Sequence, residues 1–213
     1  MPKNQTLDEF YSTFREEVLC ASDTETSGWT TEDFLTNVMM EYLEEAGEVT
    51  DPVICPFRGY GLQMNAYAIS EDCESVDIFV SIYSESDRPR SVSQADIDAA
   101  IKRAIQLYHK AINDLYTAFQ KDNDTYEFAI TLHQNKDNIK HVRICALTNG
   151  LVKPIALKNI TIGDAEISFS LWDVDRLYRC VTSGKMRETI EIDFEEKFQT
   201  SIPCIENNTS KKY

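Results

Sequence analysis

The chain has 213 residues, of which 42% are apolar and 27% charged, and its formal net charge is −15. These values are typical of a globular protein with one sizeable core. No apolar segment approaches the ~20 residues that a membrane helix requires, and the first residues lack the order of a signal peptide, so we expect a cytoplasmic protein with no membrane partner.

The charge is unevenly distributed along the chain. Residues 1–90 contain 5 basic and 19 acidic residues, a net charge of −14, whereas residues 91–213 contain 16 basic and 17 acidic residues. An acidic surface repels phosphate backbones, which argues against nucleic-acid binding through residues 1–90. The same surface suits contact with a basic protein surface.

Two helices are predicted near the N-terminus. The first begins at Thr6, because Thr6 and Glu9 have the spacing of a capping box. The second runs from about residue 31 to residue 46, with Gly47 as its C-terminal cap.

Four carboxylates lie on one face of the last turns of this second helix, where the helix dipole disfavours each of them by about 0.3–1 kcal/mol. We interpret them as a solvated face or as the contact surface for a protein partner. The helix acid of a metal site is a further interpretation. This acidic face consists of Glu41, Glu44, Glu45 and Glu48.

The next segments predict strands followed by a long helix. An edge strand at residues 53–55 precedes strands at 64–70 and 77–84, and the last of these is apolar on both faces, as in the centre of a sheet. A helix over residues 94–119 follows. Its apolar stripe, which predicts packing on the sheet, contains Ile101, Ile105, Tyr108, Ile112 and Leu115.

The remaining chain predicts two strands at residues 126–132 and 139–147 joined as a hairpin, then further elements. These are a strand at 166–171, a short helix at 173–182 and a strand at 189–194. The order predicts an α/β (α+β) fold in which a mixed central sheet is flanked by helices. We expect one domain over residues 1–205, with 206–213 as a polar tail or the start of a linker.

The cysteines and histidines give no metal-site pattern. The cysteines have wide and irregular intervals, which is typical of buried free thiols in a reducing compartment. His133 and His141 would approach each other across the predicted hairpin, but two histidines without a nearby acid or cysteine make a poor zinc site. We therefore expect no metal.

The two strands within QMNAYAISEDCESVDIFVSIYSES (residues 63–86) invite comparison with metal-dependent nucleases of the restriction-enzyme type. Those enzymes place an Asp on the first strand and an acid-x-Lys pair on the second, which together hold Mg²⁺ and activate water. Here the corresponding positions hold Asn65, Ser81 and Tyr83. Asn65 offers one neutral oxygen, Ser81 is a weak ligand and Tyr83 cannot replace a lysine.

A divergent nuclease of the PD-(D/E)xK type remains the alternative interpretation. It would bind Mg²⁺ through Glu45 or Glu48, together with Asn65 and Asp77. However, Asp77 begins its strand and lies some ~13 Å from Ser81 at about 3.3 Å per residue. The degenerate pattern therefore predicts no catalytic activity and no cofactor.

A third interpretation concerns the helix after Trp172, which Asp173 caps. Arg176 and Arg179 are expected on its exposed side. With Lys185 and Arg187 they would form a basic patch for an acidic partner or for the phosphates of a nucleic acid.

The same region resembles the N-terminal region of the abortive infection phage resistance (AIPR) family. The segment Trp-Asp-Val-Asp-Arg-Leu at residues 172–177 resembles the family's motif, as do Ile-x-Ile-x-Phe at 190–194 and Ile-Pro-Cys at 202–204. The paired strands and EYLEEAGE at 41–48 are similar as well. The resemblance implies a degenerate restriction-endonuclease-like core and a place in bacterial phage defence. It implies a non-catalytic module for protein interaction or self-association, within a longer protein.

Overall fold

The computed structural model describes residues 6–24, 28–155 and 157–185. The predicted strand at 189–194, the predicted boundary at residue 205, Arg187 and the side chain of Lys185 lie outside the described residues. The helices are α1 (Leu7–Thr24), α2 (Thr31–Glu45), α3 (Gln94–Ala111), α4 (Asp124–Gln134) and α5 (Val174–Lys185), with a 3₁₀ turn at Leu115–Ala118. The strands are β1 (Val53–Gly59), β2 (Leu62–Ile69), β3 (Ser75–Ile82), β4 (His141–Thr148), β5 (Ile160–Ile162) and β6 (Ala165–Trp172).

The strands form one mixed sheet in the order β1-β2-β3-β4-β6-β5. Strands β1, β2 and β3 are antiparallel neighbours, β3, β4 and β6 are parallel, and β5 pairs with β6 in the antiparallel direction. Helices α3 and α4 cover one face of the sheet, and α1, α2 and α5 cover the other. This arrangement confirms the predicted α/β fold with a mixed sheet between helices.

Strand β3 lies in the interior of the sheet, as its two apolar faces predicted. Ile78 and Val80 pack under α3, while Phe79 points to the opposite layer and packs with α2. The α3 stripe also packs on the sheet, because Ile101 and Tyr108 are buried, although Ile105 is only partly buried. The helix itself ends at Ala111 rather than at residue 119.

The prediction of a hairpin at residues 126–147 is wrong. Residues 124–134 form α4, which buries Phe128, Ala129 and Leu132 at helical spacing. The parallel pairing of β3 with β4 explains this, because parallel neighbours require a crossover rather than a tight turn. His133 on α4 consequently contacts the carbonyl oxygen of Ile112, and the expected approach to His141 across a hairpin does not exist.

The prediction that the cysteines are buried is confirmed for Cys55 and Cys145 but not for Cys20 or Cys73. Cys55 and Cys145 are buried, and burial raises the pKa of Cys55 to about 11 and that of Cys145 to about 12. These two thiols are therefore unreactive core groups at neutral pH. In contrast, Cys20 is exposed and Cys73 is half-buried.

No helix in the described part of the chain is both long enough and apolar enough to cross a membrane.

Candidate functional site

Asn65 and Ser81, predicted to occupy the degenerate nuclease positions, are adjacent and almost fully buried, with exposed fractions of 3% and 1%. They belong to a group of hydrogen-bonded polar side chains from the first turns of α2 and from strands β1, β2 and β3, which extends from the buried Asn65 and Ser81 to the exposed Arg58. We call this group the polar cluster. It consists of Glu32, Asp33, Arg58, Gln63, Asn65 and Ser81.

The cluster lies where the ladder between β2 and β3 is interrupted. Regular pairing runs from Ile69 opposite Val76 to Ala66 opposite Phe79 and does not continue to Ser81. Instead, the Ser81 N–H donates to Asn65 Oδ1 at 2.9 Å, and Gln63 Nε2 donates to the Ser81 carbonyl oxygen at 3.2 Å. Two side-chain amides thus replace a backbone pair that would otherwise be buried without partners.

The N-terminus of α2 is attached to the sheet through Asp33. Its Oδ2 accepts hydrogen bonds from Thr30 N and Thr30 Oγ1, both at 2.8 Å, and its Oδ1 accepts from Asn65 Nδ2 at 2.9 Å. One turn later, Thr36 Oγ1 lies 2.6 Å from Ser81 Oγ. Asn65 and Ser81 therefore each connect strand to strand and sheet to helix.

Glu32 is the more exposed of the two carboxylates in the polar cluster. The exposed fraction of its side chain is 19%. Its Oε1 forms an ion pair with Arg58 and accepts a hydrogen bond from Gln63 Nε2 at 3.1 Å. Burial raises the pKa of Glu32, and the Arg58 guanidinium offsets part of that rise. The positive charge that balances the Glu32 carboxylate is therefore supplied by Arg58 of the same chain.

Two clefts adjoin the cluster and share Glu32, Arg58 and Gln63 in their walls. One, of about 230 Å³, opens toward Gly28 and Phe57. The other, of about 360 Å³, lies between the ends of β2 and β3 and the first turns of α3. The smaller cleft falls below the 300–1,000 Å³ range that is usual for ligand sites, and the larger cleft lies at the lower end of that range.

The structure places the other predicted nuclease candidates differently. Tyr83 follows β3 and lines the larger cleft, and burial raises its pKa. Glu45 lies at the opposite end of α2, about 20 Å from Glu32 at 1.5 Å per residue. Asp77 forms an ion pair with Arg143 on β4 instead of facing Ser81. Thus Glu45 and Asp77 do not join Asn65 and Ser81.

The two acids that do approach Asn65 are Glu32 and Asp33, and neither of them was predicted from the sequence. The spacing of Thr30 and Asp33 has the form of a capping box and could have indicated that Asp33 begins a helix. No local pattern points to Arg58 or Gln63, since their positions follow from the pairing of β1 with β2.

The acidic face is exposed along its whole length at the end of α2, so all four carboxylates are accessible to a partner. Asn37 Nδ2 donates to Glu41 Oε1 at 2.9 Å. The backbone oxygen of Glu48 accepts a hydrogen bond from Arg143.

The expected exposure of the two arginines on α5 is correct for Arg179 and wrong for Arg176. Arg179 is exposed and pairs with Asp175 at 3.0 Å. Arg176 is half-buried: it lies 3.7 Å above the Trp172 ring and donates to the Leu171 carbonyl oxygen at 2.7 Å. A cation held by an aromatic face and a carbonyl stabilises the start of α5.

Among the described residues, no three or more His, Cys, Asp or Glu side chains are grouped so that they could hold a metal ion. Glu32 and Asp33 are the two carboxylates of the polar cluster, and both accept hydrogen bonds from Asn65 Nδ2, at 3.4 and 2.9 Å. The polar cluster can therefore attach α2 to the sheet, and its side chains line the two clefts.

A family model described as the abortive infection phage resistance protein N-terminal domain matches residues 35–179. This range includes most of α2, the entire sheet and the first half of α5. Comparison with the curated proteins and with the solved structures gave no match. The family model covers more than half of the chain, and the chain therefore belongs to the family of abortive infection phage resistance protein N-terminal domains.

Proposed function

We propose that this domain is a non-catalytic, cytoplasmic module of a bacterial phage-defence protein and acts through protein interaction or self-association. One observation carries the non-catalytic part: the side chains at the nuclease positions are engaged with the protein itself. Asn65 Oδ1 accepts from Ser81 N, and Ser81 Oγ lies 2.6 Å from Thr36 Oγ1.

Metal-dependent hydrolysis requires carboxylate oxygens that are free to bind Mg²⁺ and a cationic group near the attacking water. In the polar cluster, the Arg58 guanidinium pairs with Glu32 and the Asn65 amide donates to Asp33. These contacts support a degenerate restriction-endonuclease-like core, in which the former metal position stabilises the junction of α2 with β2 and β3.

The acidic face supports the interaction part of the proposal. Its carboxylates are exposed and lie at the negative end of the α2 dipole, where a cationic partner would relieve their mutual repulsion. Contacts of this kind weaken with salt, because exposed charges are screened over about 8 Å at physiological ionic strength.

Light scattering of the purified protein tests self-association. We expect a mass above that of the monomer at low salt and a monomer at about 1 M salt, where the screening length falls to about 3 Å. The double variant Glu44→Lys/Glu48→Lys should be monomeric at both salt concentrations.

Glu71→Lys/Glu74→Lys, in the exposed turn between β2 and β3, changes charge equally and serves as the matched control. It should associate like the wild type. A monomeric wild type at low salt would exclude self-association, and equal loss in both double variants would show that net charge rather than the acidic face is responsible.

A divergent nuclease is the second candidate, and one observation favours it. Glu32, Asp33 and Asn65 converge at the first strand position that a nuclease would use, although Glu45 and Asp77 do not. Mg²⁺ would be the cofactor of this alternative only. A nuclease of this kind would lose its activity in the Glu32→Gln variant.

A further inference from the structure

We propose that the larger cleft is a binding site for a small molecule that carries an oxyanion, with Arg103 as the residue that recognises it. The cleft has a volume of about 360 Å³ and adjoins the polar cluster, but it lies on the α3 side of Glu32. The proposal is independent of the self-association described above.

Small side chains on α3 form part of the wall of this cleft. Ala99 and Ala100 line the cleft together with Gln63 of β2 and Ser81 of β3. The floor consists of Gln63 and Ser81, both with an exposed fraction of 1%, and Tyr83 contributes a wall. Small-molecule sites are concave and use a few placed polar groups to orient the ligand, and the volume of this cleft limits the ligand to a small one.

Charge on the two sides of the cleft indicates the class of ligand. Arg103 Nη1 donates to the neutral Gln63 Oε1 at 3.1 Å, and Arg103 takes part in no ion pair within the described residues. Arg58, the second guanidinium, is paired with Glu32. An arginine with five N–H donors and one neutral partner retains donors for a carboxylate or phosphate group.

The opposite end of the cleft is acidic. Asp96 lies seven residues before Arg103 on α3, about 10 Å away along the helix axis, and its carboxylate accepts a hydrogen bond from Ser93 Oγ at 2.6 Å. Among the described residues, the two side chains form no ion pair with each other. A ligand with an anionic group at one end and hydroxyl or amino donors at the other would complement both ends.

Isothermal titration calorimetry of the whole chain with inorganic phosphate, AMP and citrate tests the proposal. We expect saturable binding of at least one probe. Binding of phosphate and AMP would identify a phosphate ligand, and binding of citrate alone would identify a carboxylate ligand. Arg103→Ala should weaken binding at least about tenfold, as expected for loss of a charge-assisted hydrogen bond.

Lys102→Ala is the matched control, since Lys102 is an exposed neighbour that does not line the cleft. It removes the same charge and should bind like the wild type. Arg103→Gln provides a second variant that keeps a donor for Gln63, so that loss of binding can be separated from loss of folding. The proposal is wrong if none of the three probes binds the wild type, or if Lys102→Ala weakens binding as much as Arg103→Ala.

Discussion

At the scale of single residues, Asn65 makes hydrogen bonds that an aspartate could not make. Its Oδ1 accepts from Ser81 N while its Nδ2 donates to Asp33, and a carboxylate could perform only the first of these roles. An aspartate at this position would also place a third negative charge beside Glu32 and Asp33. The residue is thus suited to the structural role that the proposed function assigns to the polar cluster.

Asn65→Ala should lower the free energy of unfolding by about 1–3 kcal/mol for each buried group left without a partner, namely Ser81 N–H and Asp33 Oδ1. Urea unfolding measures the change. Asn37→Ala removes an exposed hydrogen bond to Glu41 and should cost only about 0.2–0.5 kcal/mol. Equal decreases in the free energy of unfolding for the two variants would show that the buried hydrogen bonds of Asn65 stabilise the protein no more than an exposed one.

Glu32→Gln should change the pH dependence of stability. Because burial raises the pKa of Glu32 above its ordinary value of 4.5, the folded protein binds this proton more tightly than the unfolded chain. Wild-type stability relative to the variant should therefore increase as the pH falls through the raised pKa toward 4.5, and decrease as the pH rises. Urea unfolding of both proteins at several pH values tests this, and parallel pH profiles would contradict it.

At the scale of elements, the sequence predicted the helix–sheet order but not the crossover. Tyr126, Phe128, Ile130 and Leu132 alternate as in a strand, whereas Phe128, Ala129 and Leu132 also have helical spacing. The parallel β3–β4 pairing, which depends on residues far apart in the chain, selects the helix. The proximity of Asn65 and Ser81 could be predicted because they lie on strands that follow each other in the chain. The positions of Arg58 and Arg103 could not be predicted, because their contacts join segments that are far apart in the chain.

Leu107→Ala in α3 should destabilise the protein by about 2–5 kcal/mol, because Leu107 is fully buried between α3 and the sheet and its loss leaves a cavity. Ile105→Ala, at a partly buried position on the same helix, should cost less. Chemical denaturation compares the two. If Ile105→Ala costs as much as Leu107→Ala, the packing face of α3 is not the one described.

At the scale of the whole molecule, α2 separates two surfaces of different character. Its N-terminus holds Glu32 and Asp33 where the helix dipole favours carboxylates, and its C-terminus presents the acidic face where the dipole disfavours them. The first group is satisfied by Arg58 and Asn65 within the protein. The second is exposed, which supports its proposed use as a contact surface in phage defence.

A cleavage assay tests whether Asn65 and Ser81 have only a structural role, as we propose. Purified protein is incubated with Mg²⁺ or Mn²⁺ and with single- and double-stranded DNA and RNA. Glu32→Gln and Asn65→Ala serve as site variants, and Glu71→Gln serves as an exposed control. We expect the wild type to cleave no substrate beyond the level of the site variants. Metal-dependent cleavage that both site variants lose and Glu71→Gln retains would contradict it.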